Sequence, residues 1–395
     1  MHNSAMSLES RIGQLWESSK YVLDDCALDN GAIIAANPST KLATYPPDAV
    51  NYRYSWPRDA AFQLLATKEV DPSKVEDRAV NYAKWLENIE GYRKTGVLIK
   101  RYNENGSMDT HYGEQYQPDQ AGALMYALDT VIPDKHLVID AAIRRMADGL
   151  HDRWRDDSFG VTQDLWENRE TTDENGDVFT YSLAAATAGL GSAIKRFQGT
   201  NYADEKWQRT YESMSMKLDK GYTTDADGQK LYVRKIYPNP MYNGDADNTL
   251  DASLAGLVYP FNQQEAITNF QHSTVLRIYS ELYADNEKGI KRYKGDKYDG
   301  IVRPGGKESN AGAWPLLSFW ESIALDQIGE SERARDLYNA TVTKLNAAYR
   351  LGQIANNMIP EQLFADGNRQ GKAVLPLGWS HAKFVLATRA LKVID

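Results

Sequence analysis

The stretch Tyr181 to Ala193, YSLAAATAGLGSA, carries no charged side chain and is built from alanine, glycine and leucine with a few hydroxyls. A helix over it has no face polar enough to meet water, so it belongs inside the molecule, and its small residues let neighbouring helices come close. Ala60 to Ala66, Leu250 to Val258 and Gly312 to Ile323 are nearly apolar in the same way. Between these stretches lie helical segments of the opposite kind. Ser73 to Lys94 and Ser331 to Arg350 are charged and amphipathic, which places them outside.

Apolar periodicity with its start and stop signals gives about twelve helices and no convincing run of alternating strands. They are expected near residues 8–26, 57–69, 72–93, 117–131, 135–154, 178–198, 201–219, 249–257, 263–283, 309–328, 331–350 and 377–392. Asp71 then Pro72 reads as an N-cap and first helical residue, Pro57 and Pro118 suit a first turn, and Ser331 with Glu332 opens another helix. The connections alternate: those after even-numbered helices are a few residues, and those after odd-numbered helices run to roughly 25, far above the usual loop. In an up-and-down array this puts every long loop at one end and every tight turn at the other.

Inner helices alternating with outer ones describe an all-α fold, an (α/α)6 barrel, expected as a single domain over residues 1–395. An α-solenoid of helix pairs is the competing arrangement, but it predicts a repeated sequence signature and none is visible. Each long loop precedes an inner helix, so the positive ends of the inner helix dipoles face the loop-bearing end. The active site is expected there.

Composition narrows the function. A net charge of -9, from 45 basic and 54 acidic residues, leaves no basic stripe for a phosphate backbone, so nucleic acid is excluded as a partner. No apolar run is long enough to span a bilayer, and Met1 to Glu17 lacks a leader pattern, so no membrane contact and a cytoplasmic location are expected. Cys26 is the lone cysteine, which rules out an intramolecular disulfide and reads as an inert core thiol. The six histidines include no His-x-x-x-His or His-Glu-x-x-His pair, and no glycine-rich phosphate loop with a following Lys and Ser or Thr appears; Gly305-Gly306-Lys307 is too short. Neither a metal nor a cofactor is expected. Asp24-Asp25 with Asp29 reads as a solvated helix end, and Asp225-Ala226-Asp227-Gly228 and Asp245-Ala246-Asp247 read as turns, lacking the closing Glu of a calcium loop.

The long loops hold the concentrated polar and aromatic residues. The first ends in Tyr52-Arg53-Tyr54-Ser55-Trp56-Pro57-Arg58-Asp59 and the second in Gln117-Pro118-Asp119, while the third carries Asp164-Leu165-Trp166-Glu167. The fifth holds Lys291-Arg292-Tyr293 and Asp296, and the sixth Pro360-Glu361-Gln362. With 24 Tyr and 9 Trp in the chain, rings beside carboxylates and arginines suit a sugar, whose faces are apolar and whose hydroxyls need bidentate partners.

These motifs, with Tyr298 and the later Trp379-Ser380-His381-Ala382, closely resemble the glucoamylase family, glycoside hydrolase family 15, in the right order from about Asn37 to Leu391. The resemblance implies an (α/α)6 catalytic domain that releases glucose from non-reducing ends of α-1,4-linked, and in some cases α-1,6-linked, gluco-oligosaccharides with inversion. It makes Glu167 the general acid and Glu361 the general base, with Tyr52 helping Glu361 hold the attacking water. It assigns Arg58 and Asp59 to the terminal glucose hydroxyls, and Trp56, Lys100, Asp119, Leu165, Trp166 and Arg292 to the same substrate pocket. Asn168 departs from the pattern, standing where many relatives have a second acid, so aglycone contacts are expected to differ. Neither the amino-terminal β-sandwich of prokaryotic relatives nor a starch-binding module is legible in these residues, so short oligosaccharides are expected over starch. A trehalase of the same family and a glucan-binding protein without turnover are the alternatives.

Inversion needs an acid and a base about 6.5 to 9.5 Å apart, with sugar and water between them. Glu167, next to Trp166 and Leu165 in sequence, is expected in an apolar setting that keeps it protonated, and Glu361 is expected to stay ionised. Asp59, on a first helical turn beside Arg58, is expected to resist protonation. His381 reads as a packing residue near the sixth loop.

Overall fold

The computed structural model describes residues 7–109, 115–171, 176–201, 204–225, 227–237, 249–262, 266–303, 309–355 and 357–394. The barrel expected from the alternation is present. The outer layer consists of α1 (Leu8–Cys26), α3 (Pro72–Glu87) continued by the short α4 (Glu90–Thr95), α6 (Leu137–Arg153), α8 (Glu205–Leu218), α9 (Asn269–Leu282) and α11 (Ser331–Arg350). The inner ring consists of α2 (Pro57–Val70), α5 (Pro118–Val131), α7 (Thr180–Phe197), a 3-10 helix (Ala252–Leu257), α10 (Pro315–Gln327) and α12 (Gly378–Ala390). Each inner element packs on the next in that order, and α12 closes back on α2.

The inner ring is tightest where the sequence is richest in small residues. A Cβ on Gly122 of α5 would sit 2.2 Å from the Ala185 carbonyl oxygen of α7, and one on Gly189 would sit 2.4 Å from the Gly122 carbonyl oxygen. Backbones touch there, and any side chain would force them apart. Elsewhere the interior is filled by rings: Phe62 of α2 stacks on Trp379 of α12 at 5.5 Å and lies 5.6 Å from Trp320 of α10. Cys26 is buried as expected, and burial pushes its thiol up, away from the reactive thiolate.

The structure also differs from, or refines, several expectations. The helix foreseen over 72–93 breaks at Asn88 and restarts at Glu90. The eighth helix is a single 3-10 stretch, Ala252–Leu257, rather than an α-helix. The only strands among the described residues are paired stretches of two or three residues, such as Tyr54–Ser55 against Tyr102–Asn103, in keeping with the lack of any alternating run in the sequence. Asp71 occupies the N-cap position of α3 as expected but makes no side-chain cap, its carboxylate accepting from Ser73 Oγ and pairing with Lys20, and Ser331 with Glu332 opens α11 as expected. Asp24 is not merely solvated, because it forms ion pairs with Lys74 and Arg78 of α3. The Asp225 carboxylate accepts from the backbone amides of Asp227 and Gln229, the mark of a turn, whereas Asp245-Ala246-Asp247 and Gly305-Gly306-Lys307 lie outside the described residues. No helix among the described residues is long and apolar enough to cross a membrane.

The inner α-helices open toward the site without side-chain caps, whereas Asp251 caps the inner 3-10 helix by accepting from Ser253 N. Trp56, Trp314 and Leu377 are the N-caps of α2, α10 and α12, none caps its helix through a side chain, and all three line the central cavity. Hydrophobic walls thus occupy positions where Ser, Asp or Thr would usually stand, and positive helix ends surround the cavity floor.

Candidate active site

A cavity of about 560 Å³ opens at the long-loop end, the size of a small-molecule site. Tyr52, Trp56, Arg58, Asp59, Lys100, Leu165, Trp166, Glu167, Arg292 and Glu361 all line it. Asp119, expected beside them, is fully buried behind the wall: one carboxylate oxygen takes Arg58 Nη1 at 3.1 Å and the other accepts from Ser182 Oγ at 3.1 Å. Its place is to hold Arg58. Arg58 in turn pairs with Asp59 at 3.1 Å and rests 5.0 Å above the Trp379 ring.

Glu361 is 1 % exposed. Its amide donates to Val374 O at 2.9 Å, and Oε1 accepts from Tyr52 Oη at 2.8 Å; Tyr52 also shares a short contact with Tyr298 Oη. Room for Oε2 exists because residue 300 is glycine with φ +68°: a Cβ there would lie 2.3 Å from that oxygen. Burial moves the Glu361 carboxyl up to about 7, although Tyr52, Arg292 and Gln362 pull it back. Asp59 is pushed to about 6 by burial, against the pull of Arg58 and with help from Glu167. Desolvation outweighs the neighbouring guanidinium, contrary to the expectation from sequence.

Glu167 sits in a tight turn with φ +62°, a conformation unfavourable for a side-chain-bearing residue. Asp164 organises the turn: its carbonyl accepts from Glu167 N at 3.0 Å, and its carboxylate accepts from Asn168 N at 2.8 Å and pairs with Arg169 at 3.0 Å. The Glu167 carboxylate meets polar partners rather than the purely apolar setting expected from its sequence neighbours. Oε1 accepts from Trp56 Nε1 at 2.7 Å and Oε2 pairs with Lys100 Nζ at 3.1 Å. Trp166 turns its indole N–H to both oxygens of Asp251, at 2.9 and 3.1 Å.

Arg292 makes two 2.6 Å bonds to Asp296, which holds the guanidinium charged in spite of burial, and it lies 4.9 Å from the Trp314 ring centroid. The surrounding donors orient the Asn168 amide so that its oxygen accepts from Tyr293 Oη at 2.7 Å and Arg292 Nη2 at 3.3 Å. Sequence reasoning missed Gly300 and Asp251. An Asp299-Gly300 turn was the local signal for the first, and for the second it was an Asp directly before the apolar Ala252–Leu257, which it caps by accepting from Ser253 N.

The profile of glycosyl hydrolases family 15 matches residues 27–387. The chain belongs to that family. An uncharacterized glycosyl hydrolase of Methanocaldococcus jannaschii is 26% identical over 368 residues, which cover 90% of this chain and 52% of the relative. The chain thus spans about half the length of that curated relative. Among solved structures, the glucoamylase of Saccharomycopsis fibuligera superposes with a TM-score of 0.72 at 18% identity over 98% of this chain and 96% of that one. A glycosidase variant in complex with glucose gives 0.71 at 17% identity, with 98% of both chains covered. A bacterial glucoamylase complexed with acarbose gives 0.66 at 18% identity, over 95% of this chain and 55% of the other. These superpositions establish the barrel of the family 15 glucoamylases.

Proposed function

We propose that this chain is an exo-acting, inverting α-glucoside hydrolase that releases β-D-glucose from the non-reducing ends of α-1,4-linked or α-1,6-linked gluco-oligosaccharides. One observation carries the reading: two glutamates from the third and sixth long loops share one cavity, and one of them is tied to a tyrosine hydroxyl at 2.8 Å. On a ring of six loops, the third and sixth lie across from each other, the arrangement an acid and a base need on opposite faces of a sugar.

Glu167 is the general acid: it gives a proton to the glycosidic oxygen as the bond to the anomeric carbon breaks. Lys100 and Trp56 then stabilise the carboxylate left behind. Glu361 takes a proton from a water that Tyr52 helps to orient, and the hydroxide equivalent attacks from the opposite face, giving the β-anomer. Arg58 and Asp59 hold the terminal glucose hydroxyls at the cavity floor, and the Trp56 and Trp166 rings line its faces. The uncharged Asn168, locked by Tyr293, offers the aglycone sugar an amide where a second carboxylate would repel or bind differently.

Proton NMR during the first minutes of maltose hydrolysis tests the mechanism: β-glucose appears first, and α-glucose as the first product would overturn inversion. Glucose release compared across maltose, maltotriose, isomaltose and trehalose tests the linkage, with trehalose as sole substrate marking a trehalase. Binding of maltotriose without release at any pH would mark a glucan-binding protein.

A further inference from the structure

The placement of Glu361 raises the question of what fixes its backbone, since it lies in the long connection between α11 and α12. Two groups immediately before it are held by consecutive side chains from the first turn of α12. Ser380 Oγ donates to Pro360 O at 2.9 Å, and Ile359 N donates to His381 Nε2 at 2.9 Å. On its other side, His381 Nδ1 meets Ser19 Oγ of α1 at 2.9 Å, and Ser19 Oγ donates onward to Leu15 O at 2.7 Å. Ser19, Ser380 and His381 are all fully buried.

This chain of bonds has one direction. Ile359 N–H can only donate, so Nε2 carries no proton, and Nδ1 bears the hydrogen and gives it to Ser19. Burial lowers His381 to about 3, which keeps the imidazole neutral near neutral pH, and its two partners fix the tautomer. Any buried imidazole needs partners for both nitrogens; what distinguishes this one is the groups that supply them. This one links an outer helix, an inner helix and the strand-like segment two residues from Glu361.

Resting on the reading of Glu361 as general base, we infer that His381 and Ser380 are positioning residues that set the Glu361 carboxylate through the backbone of Ile359 and Pro360. Neither lines the cavity itself, so neither is placed to touch a substrate, and their side-chain bonds reach the site through the segment that carries Glu361. A glutamine at 381 can reproduce both bonds, accepting from Ile359 and donating to Ser19, whereas leucine can reproduce neither.

The test measures kcat and KM on maltose, melting temperature, and hydrogen exchange at the amides of Ile359, Glu361 and Gln362 for His381→Leu, His381→Gln and Ser380→Ala. A misplaced base costs turnover rather than binding. His381→Leu should therefore lose about tenfold or more in kcat, with KM within about twofold. His381→Gln should recover most of it, and Ser380→Ala should lose several-fold. Exchange should quicken at those amides and not across the rest of α12. The inference is overturned if folded His381→Leu keeps its kcat, or if His381→Gln falls as far as His381→Leu. Should His381→Leu fail to fold, Ser380→Ala decides: unchanged kcat with unchanged exchange sinks the inference. If the wild-type protein releases no glucose from any α-glucoside, the proposed function fails, and exchange alone then supports or sinks the positioning role.

Discussion

The third and sixth long loops deliver the same residue type to one cavity in opposite ways. Glu167 stands on a strained turn, partly exposed, with a lysine and an indole N–H on its two oxygens. Glu361 is buried in a bonded segment, with a phenol on one oxygen and a glycine's missing side chain beside the other. Ordinary sequence logic assigned the apolar setting to the first and the ionised one to the second. Burial is in fact the stronger force at Glu361, and its carboxyl rises to about 7. Identical side chains acquire distinct roles here from partners far away in the chain, not from sequence neighbours.

The comparison breaks most severely if either carboxylate is dispensable. Glu167→Gln and Glu361→Gln are each expected to lower kcat by at least about a hundredfold, the scale of general acid–base catalysis, with the fold kept by circular dichroism. Retained turnover in either variant removes that residue from the chemistry. Next in size, Gly300→Ala places a methyl where Glu361 Oε2 sits and strains a left-handed turn, so kcat should fall about tenfold with Glu167 undisturbed.

The pH profile sharpens the contrast. Glu361 works only as a carboxylate, so kcat/KM should fall as pH drops through about 7, where the buried carboxyl takes up its proton. Tyr52→Phe removes a hydrogen bond that favours the charged form, and should move that acid limb to higher pH. An unmoved limb would mean that another group controls it.

The smallest effect is on stability. A carboxyl that titrates at 4.5 when unfolded and about 7 when folded binds its proton more tightly in the native state. Its stabilising contribution is complete below 4.5 and is lost as pH rises to about 7, so the ionised Glu361 disfavours the fold by on the order of 3 kcal/mol above that pH. Glu361→Gln should accordingly raise the urea midpoint at pH 8 and matter much less at pH 4. Equal midpoints at pH 8 would contradict the buried, raised carboxyl.

The barrel was legible because inner and outer helices differ in composition along their whole length, as Tyr181 to Ala193 and Ser331 to Arg350 do. The proline-led starts at Pro57, Pro118 and Pro72 were equally local signals, and the structure has helices beginning at each. What could not be read depends on distant contacts. The break at Asn88 interrupts an unbroken apolar period, and the 3-10 stretch at Ala252–Leu257 has an ordinary helical composition. The cavity residues were recoverable as motifs, but their pairings were not: Tyr52 and Glu361 are 309 positions apart, and Trp56 and Glu167 are 111. Asp119 lies next to Pro118 at a helix start like Asp59, yet it ends up behind the wall because Ser182 and Arg58 take both its oxygens.

The left-handed backbone at Glu167 sets a course for any descendant of this chain that stops cleaving sugars. Glycine and, to a lesser degree, asparagine accept that φ with less strain, so once hydrolysis no longer constrains the position, selection for folding alone would replace the glutamate. A glycine or asparagine at position 167 in an otherwise intact barrel would therefore mark a lineage that has changed occupation.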